Sequence, residues 1–200
     1  MFAEARLSDG SRALIWDLLP GDREAVREGF EKLSEETRFH RFLAAVPHLT
    51  ETMLDHLVDE IDGVDHVALA LVVVDAAGNG VPAGVARMIR YSDERDAADV
   101  AVTVIDEFQR RGVATALLGE LMRRRPAGVT RLVTTVTADN AASLAMLRRL
   151  GPTVAEPAGP NRLDVVVELP DHGPDDPESD VVAAAGTDPE HPSAAGDEIL

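Results

Sequence analysis

Residues 109–115 read Gln-Arg-Arg-Gly-Val-Ala-Thr. They follow a β-branched apolar run and lead into a helix-like pattern. These residue types at such a junction suit an anion. The first turn of a helix presents unpaired backbone N–H groups and the positive end of the helix dipole. Gly112 permits a left-handed backbone and the close approach of a ligand. Ala114 and Thr115 keep the approach narrow, and Arg110 and Arg111 add positive charge beside it. A phosphate or pyrophosphate would fit. The nucleoside-triphosphate loop G-x-x-x-x-G-K-[ST] and the dinucleotide fingerprint G-x-G-x-x-G are both absent. Taken alone, the same residues also read as a surface turn with solvated arginines.

Other chemistry is sparse. The chain has no cysteine, which excludes disulfides, thiolate metal sites and a cysteine nucleophile. His40, His48, His56 and His66 lack metal-ligand spacing, so no metal is expected. One carboxylate stands out: Asp99, at the head of the apolar run and ten residues before Gln109.

The elements that must hold these residues follow from periodicity. Residues 12–18 read as a first strand. Asp22 opens a helix with Val26, Phe30 and Leu33 on one face, and the pattern is irregular between Phe39 and Pro47. Thr50 caps a second helix bearing Leu54, Leu57, Val58 and Ile61. Residues 66–74 and 81–90 flank the turn cluster Asp-Ala-Ala-Gly-Asn-Gly and read as a hairpin. Residues 99–105 carry no charge on either face beyond Asp99, as expected of a central strand covered on both sides. A helix then runs to about Arg125, closed by three arginines and Pro126. Residues 131–137 form another strand. Asp139 or Asn140 starts a helix with Leu144, Leu147 and Leu150 inside, and residues 163–169 form the last strand. Strand–helix–strand units require parallel pairing and the hairpin requires antiparallel pairing, so a mixed sheet with helices on both faces follows.

Composition sets the outer bounds. The formal net charge of −17 argues against a nucleic-acid partner. No apolar run reaches membrane-spanning length, and the N-terminus lacks the apolar core of a signal peptide; the expectation is a cytoplasmic protein with no membrane partner. Nine of the 36 acidic residues and none of the 19 Lys and Arg fall after Leu169. That segment is rich in Pro, Gly, Asp and Glu and has no aromatic residue. The expectation is a folded domain over residues 1–169 and an acidic, disordered, solubilising tail over 170–200.

The pattern Gln109-x-x-Gly112-x-Ala114 directly after a buried strand, with Asn140-x-x-Ser143 opening a later helix, resembles the GNAT family of acyl-CoA-dependent N-acyltransferases. The family motif is [QR]-x-x-G-x-[GA]. The resemblance spans residues 12–169, and the N-terminal half is further similar to the GNAT domains of bacterial protein lysine acetyltransferases. It implies an α/β (α+β) fold with a mostly antiparallel mixed sheet, splayed at its centre. It also implies acetyl-CoA as co-substrate and an amine acceptor, a protein lysine or a small amine, with the oligomeric state left open. The CoA pyrophosphate would lie on Gln109 to Thr115. The pantetheine arm would pair with the strand at Val102, Thr103 and Val104, and Asn140 would stand beside it as well as capping its helix.

Transfer from a thioester to an amine needs a base, an oxyanion donor and a leaving thiolate. A lysine amine has a pKa of about 10.4 and must lose a proton before it attacks. In lysine-acetylating members of the family a glutamate often begins this strand, and Asp99 stands there. It reads either as the base, acting through a water, or as an acid at a strand end. A backbone N–H around Thr103 is the expected oxyanion donor. Many members place a tyrosine on the later helix to protonate the thiolate; Leu147 occupies that position, and Tyr91 on the hairpin is the only tyrosine. Two readings follow: an active enzyme working by direct attack in a ternary complex, and a CoA-binding regulatory module with weak catalysis.

Overall fold

The computed structural model describes residues 2–170. The expected tail, residues 170–200, lies outside the described residues from 171 onward. Eight strands form one sheet in the order β1-β2-β3-β4-β5-β6-β8-β7. They are β1 (Phe2–Arg6), β2 (Arg12–Asp17), β3 (His66–Val74), β4 (Gly80–Arg90), β5 (Ala97–Val104), β6 (Arg131–Thr137), β7 (Thr153–Pro157) and β8 (Arg162–Glu168). Neighbours pair antiparallel, with one exception: β5 and β6 run parallel. The expectation of a mixed, mostly antiparallel sheet is met.

Helices cover both faces. On one side lie α1 (Arg23–Glu31), α2 (Glu35–Phe42) and α3 (Glu51–Leu54), which continues into a π-helical turn over Asp55–Asp59. On the other lies α4 (Val113–Arg123). Gly84 lets α4 sit close: a Cβ there would stand 2.7 Å from the Thr103 carbonyl and 3.3 Å from Leu117 and Val113. The short helix α5 (Ala141–Leu147) follows β6. Strand β3 is buried along nearly its whole length, as its unbroken apolar run requires. The core runs between sheet and helices through Ile15, Leu54, Leu69, Met88, Leu117 and Leu132, each 1 % exposed or less.

Three elements escaped the periodicity reading: β1, α2 and β7. Helix α2 begins at Ser34, whose hydroxyl accepts from Thr37 N–H at 3.2 Å, and Glu35 and Glu36 fill its first turn. None of its residues is buried, so no apolar stripe advertises it. Helix α4 ends two residues earlier than expected. The arginines there complement more than a dipole, because Arg124 donates to the buried Glu120 at 2.6 Å.

Candidate active site

The parallel pairing of β5 with β6 is brief. Only Ala97 with Arg131 and Ala98 with Leu132 are in register. Beyond Ala98 the two strands part, and Asp99 is the first residue past the last pair. Thr134 of β6 reaches back across the opening and donates from Oγ1 to the Val100 carbonyl at 3.3 Å.

The parting frees one set of backbone groups on β5. Ile105 N–H donates to the carbonyl of Ala83 on β4 at 3.0 Å, and alternation along a strand turns Thr103 to that same side. Val100, Val102 and Val104 therefore present their peptide groups to the gap. The bonds that Thr134 sends to the Val100 carbonyl, and Gln109 Nε2 sends to the Val104 carbonyl at 3.4 Å, agree with this.

A cleft of about 1100 Å³ occupies the gap. It runs from Asp99 along Val102, Thr103 and Val104 to Gln109, Arg110, Gly112, Val113, Ala114 and Thr115, with Asn140 on the opposite wall. Eleven of the twelve residues singled out in the sequence thus line one cavity. Arg111 does not line it. Its Nε donates to Asp9 Oδ2 at 2.5 Å, an Nη donates to Ser11 Oγ at 3.0 Å, and the guanidinium lies 5.0 Å from the centre of the Phe108 ring. Arg111 anchors the loop to the β1–β2 turn.

The loop owes its shape to two left-handed residues, Arg110 at φ 61° and Gly112 at φ 91°. At Gly112 the close neighbour is protein: a Cβ there would stand 3.0 Å from Ser8 N. Gly112 is the residue before α4, so the free N–H groups of the first helical turn open beside it. Asp106 braces the other side of the loop. Its carboxylate accepts from Ser34 N–H at 2.9 Å, Ser34 Oγ at 2.7 Å and Thr37 Oγ1 at 2.9 Å. Burial alone would raise its pKa; these donors outweigh that and hold it below the usual aspartate value. Asn140 caps α5, accepting from Ser143 N–H at 3.0 Å.

Asp99 is half-buried. Burial raises its pKa above the usual value, opposed by the Thr134 hydroxyl and the positive charges of Arg41 and Arg87. A carboxylate so placed holds a proton more firmly than a surface aspartate, as suits a group that takes one from an amine. Tyr91 stands nearby. Its hydroxyl donates to the Val133 carbonyl at 3.1 Å, and burial followed by the Asp99 charge raises its pKa. Leu147 is only 2 % exposed and offers no proton.

The roof of the cleft comes from α2, through Thr37, His40, Arg41 and Phe42, and from Leu43 after it. His40 meets Asp139 at 3.5 Å, and Arg162 donates to the Leu43 carbonyl at 2.8 Å. Sequence reasoning missed this helix, reading only an irregular pattern from Phe39 onward. The Ser34 cap followed by two acids was the available signal. Among the described residues, no group of three or more His, Cys, Asp or Glu could hold a metal ion, and no helix is long and apolar enough to cross a membrane.

Known proteins match this chain in sequence and in fold. The sequence model of the Acetyltransferase (GNAT) family matches residues 25–151. The chain belongs to the GNAT family. It is 35 % identical over 163 residues to the acetyltransferase Pat of Mycolicibacterium smegmatis, covering 80 % of this chain and 47 % of that protein. It is 32 % identical over 116 residues to the acetyltransferase PA5475 of Pseudomonas aeruginosa, covering 58 % of this chain and 61 % of that one. The chain thus spans about half to three-fifths of the length of these curated relatives. Among solved structures, the GNAT domain of S. lividans PAT superposes with a TM-score of 0.72 at 25 % identity, over 84 % of this chain and 97 % of that one. A cAMP-binding acyltransferase from Mycobacterium smegmatis superposes at 0.57 and 26 % identity, over 86 % of this chain and 48 % of that one. This GNAT chain is therefore homologous to the GNAT domains of Pat protein acetyltransferases.

Proposed function

We propose that this chain moves an acetyl group from acetyl-CoA to a primary amine, by direct attack in a ternary complex, with a protein lysine as acceptor. One observation carries the reading: Asp99 stands at the point where β5 and β6 part, at the head of a cleft that ends on the loop of Gly112. The fit to an acyl-CoA is local. Val102 and Val104 would pair with the amides of the pantetheine arm. The left-handed loop and the first N–H groups of α4 would hold the pyrophosphate, with Arg110 beside it. When bound, the donor supplies an acyl group activated as a thioester.

The chain's own residues supply the rest. Asp99 takes the proton of the incoming ammonium, directly or through one water, and so frees the nitrogen lone pair. The N–H of Val102 or Val104 would stabilise the developing oxyanion; the strand's alternation favours these over Thr103. The nitrogen–carbon bond forms as the carbon–sulfur bond breaks. The nitrogen sheds its second proton as the adduct collapses, and the leaving thiolate, with a free pKa of about 8.5 for a cysteine-like thiol, takes up that proton through water, since Leu147 cannot give one. The lysine acceptor rests on homology to Pat acetyltransferases.

A second reading, a CoA-binding module of weak catalysis, draws on the buried Leu147. Thiol release from acetyl-CoA in the presence of an amine panel separates the two. Release with a lysine peptide supports the enzyme. Stabilisation by CoA with no release for any amine supports the module.

A further inference from the structure

Behind β5, a second cavity of about 40 Å³ adjoins the cleft. Thr103, Arg41 and Phe42 line both spaces. The walls of the smaller one are otherwise apolar, from Val26, Phe30, Leu33, Leu49, Leu57 and Val85, except that Arg87 lies in its lining. Two arginines beside so small an apolar space are costly unless anions answer them.

The answering charge falls short. Arg87 is 5 % exposed. It donates to the Leu57 carbonyl at 2.9 Å and approaches His66 Nε2 at 3.4 Å, and among the described residues no acid forms an ion pair with it. Burial, followed by the Arg41 charge, pushes Arg87 down to about 9, where it is still a cation at neutral pH. Arg41 lies 5.0 Å from the centre of the Phe42 ring and makes no ion pair among the described residues. Burial lowers its pKa, and only the Asp99 charge opposes this. His66 is held neutral at pH 7, because burial and Arg87 lower its pKa. Among the described residues Asp99 is the one acid whose charge acts on either arginine, so one positive charge is left uncompensated.

The space fits the missing anion. A cavity of about 40 Å³ holds roughly three waters at 10–15 Å³ each, comparable to a carboxylate. It opens beside Thr103, on the strand where the thioester carbonyl would sit. We infer that this cavity takes the terminal carboxylate of a short dicarboxylyl-CoA, such as a malonyl thioester, with Arg41 and Arg87 as its counter-ions. The inference rests on the acyl-CoA reading of the cleft. It makes the donor a selected substrate and gives the Arg41–Arg87 pair a role beyond balancing Asp99.

Calorimetry on the full chain tests it with three probes: CoA, malonyl-CoA and isovaleryl-CoA, the neutral shape-match of malonyl-CoA. Malonyl-CoA binds at least about tenfold tighter than isovaleryl-CoA, the gain expected of charge-assisted hydrogen bonds. In Arg41→Met the two agree within about twofold, less than 0.5 kcal/mol, the ratio of the two affinities being the readout because any change in CoA binding is common to both. Arg87→Met loses the same preference where it folds; Arg41, whose side chain makes no hydrogen bond among the described residues, carries the test where it does not. Equal affinity for malonyl- and isovaleryl-CoA in the native chain, with CoA bound, overturns the inference and leaves the acyl-CoA reading standing. Failure of CoA itself to bind overturns both.

Discussion

Thr134 Oγ1 and the Val100 carbonyl meet at 3.3 Å across the opening between β5 and β6. The bond pins the strands at the point where their ladder ends, and the same hydroxyl lowers the pKa of Asp99. One side chain thus governs both the width of the cleft head and the acidity of the candidate base.

Replacing Thr134 by valine removes that hydroxyl while keeping the shape. Asp99 already sits above the usual aspartate value because of burial, and Thr134 opposes the rise. Without it the pKa climbs further, so a higher pH is needed to keep the base ionised. The acid limb of the kcat/KM profile moves to higher pH in Thr134→Val. An unmoved or lowered acid limb would show that Asp99 does not set it.

Gly112 occupies a left-handed conformation against Ser8. A Cβ in that region costs about 1–2 kcal/mol, and here it also presses on Ser8 N. Gly112→Ala lowers stability to urea by about that amount and weakens acetyl-CoA binding together with it. A variant as stable as the native chain would contradict the bracing assigned to this turn.

Asp106 offers a stability test with a defined sign. Its folded pKa lies below the unfolded value because Ser34 and Thr37 donate to it against the effect of burial. Its contribution is therefore present above the unfolded pKa and fades as pH falls through the folded one. Asp106 is exposed, so the effect is modest. The melting temperature of Asp106→Asn falls below that of the native chain by a few degrees at pH 7, about 1 kcal/mol. The gap closes toward pH 3. A gap that widens on acidification would reverse the assignment.

Tyr91 donates its hydroxyl to Val133, and the thiolate is a competent leaving group unaided. Tyr91→Phe therefore lowers kcat by less than about tenfold, below the 10²–10⁴-fold range of a general acid. A larger loss in kcat, with acetyl-CoA affinity intact, would make Tyr91 the proton donor that Leu147 is not.

Some of this molecule was legible from residue order. The strand of Asp99, the loop of Gly112 and the helix of Asn140 carry local signals: an uncharged β-branched run, a glycine before a helical period, and a side-chain cap. What stayed hidden depends on contacts far apart in sequence. Strand β1 and strand β7 lie at the two edges of the sheet with mostly exposed residues, so their patterns resemble loops. Helix α2 has no fully buried residue, and several of its side chains line the cleft. Arg111 looked like an anion ligand because Asp9, about a hundred residues earlier, is invisible to spacing. Arg41 and Arg87 come within electrostatic reach of Asp99 only through the sheet's register and the placement of α2.

The most direct measurement is thiol release from acetyl-CoA with a lysine peptide, comparing the native chain with Asp99→Asn. The account predicts steady release by the native chain and a loss of about 10²–10⁴-fold in kcat in the variant, with acetyl-CoA affinity unchanged. Undiminished release by Asp99→Asn would contradict it.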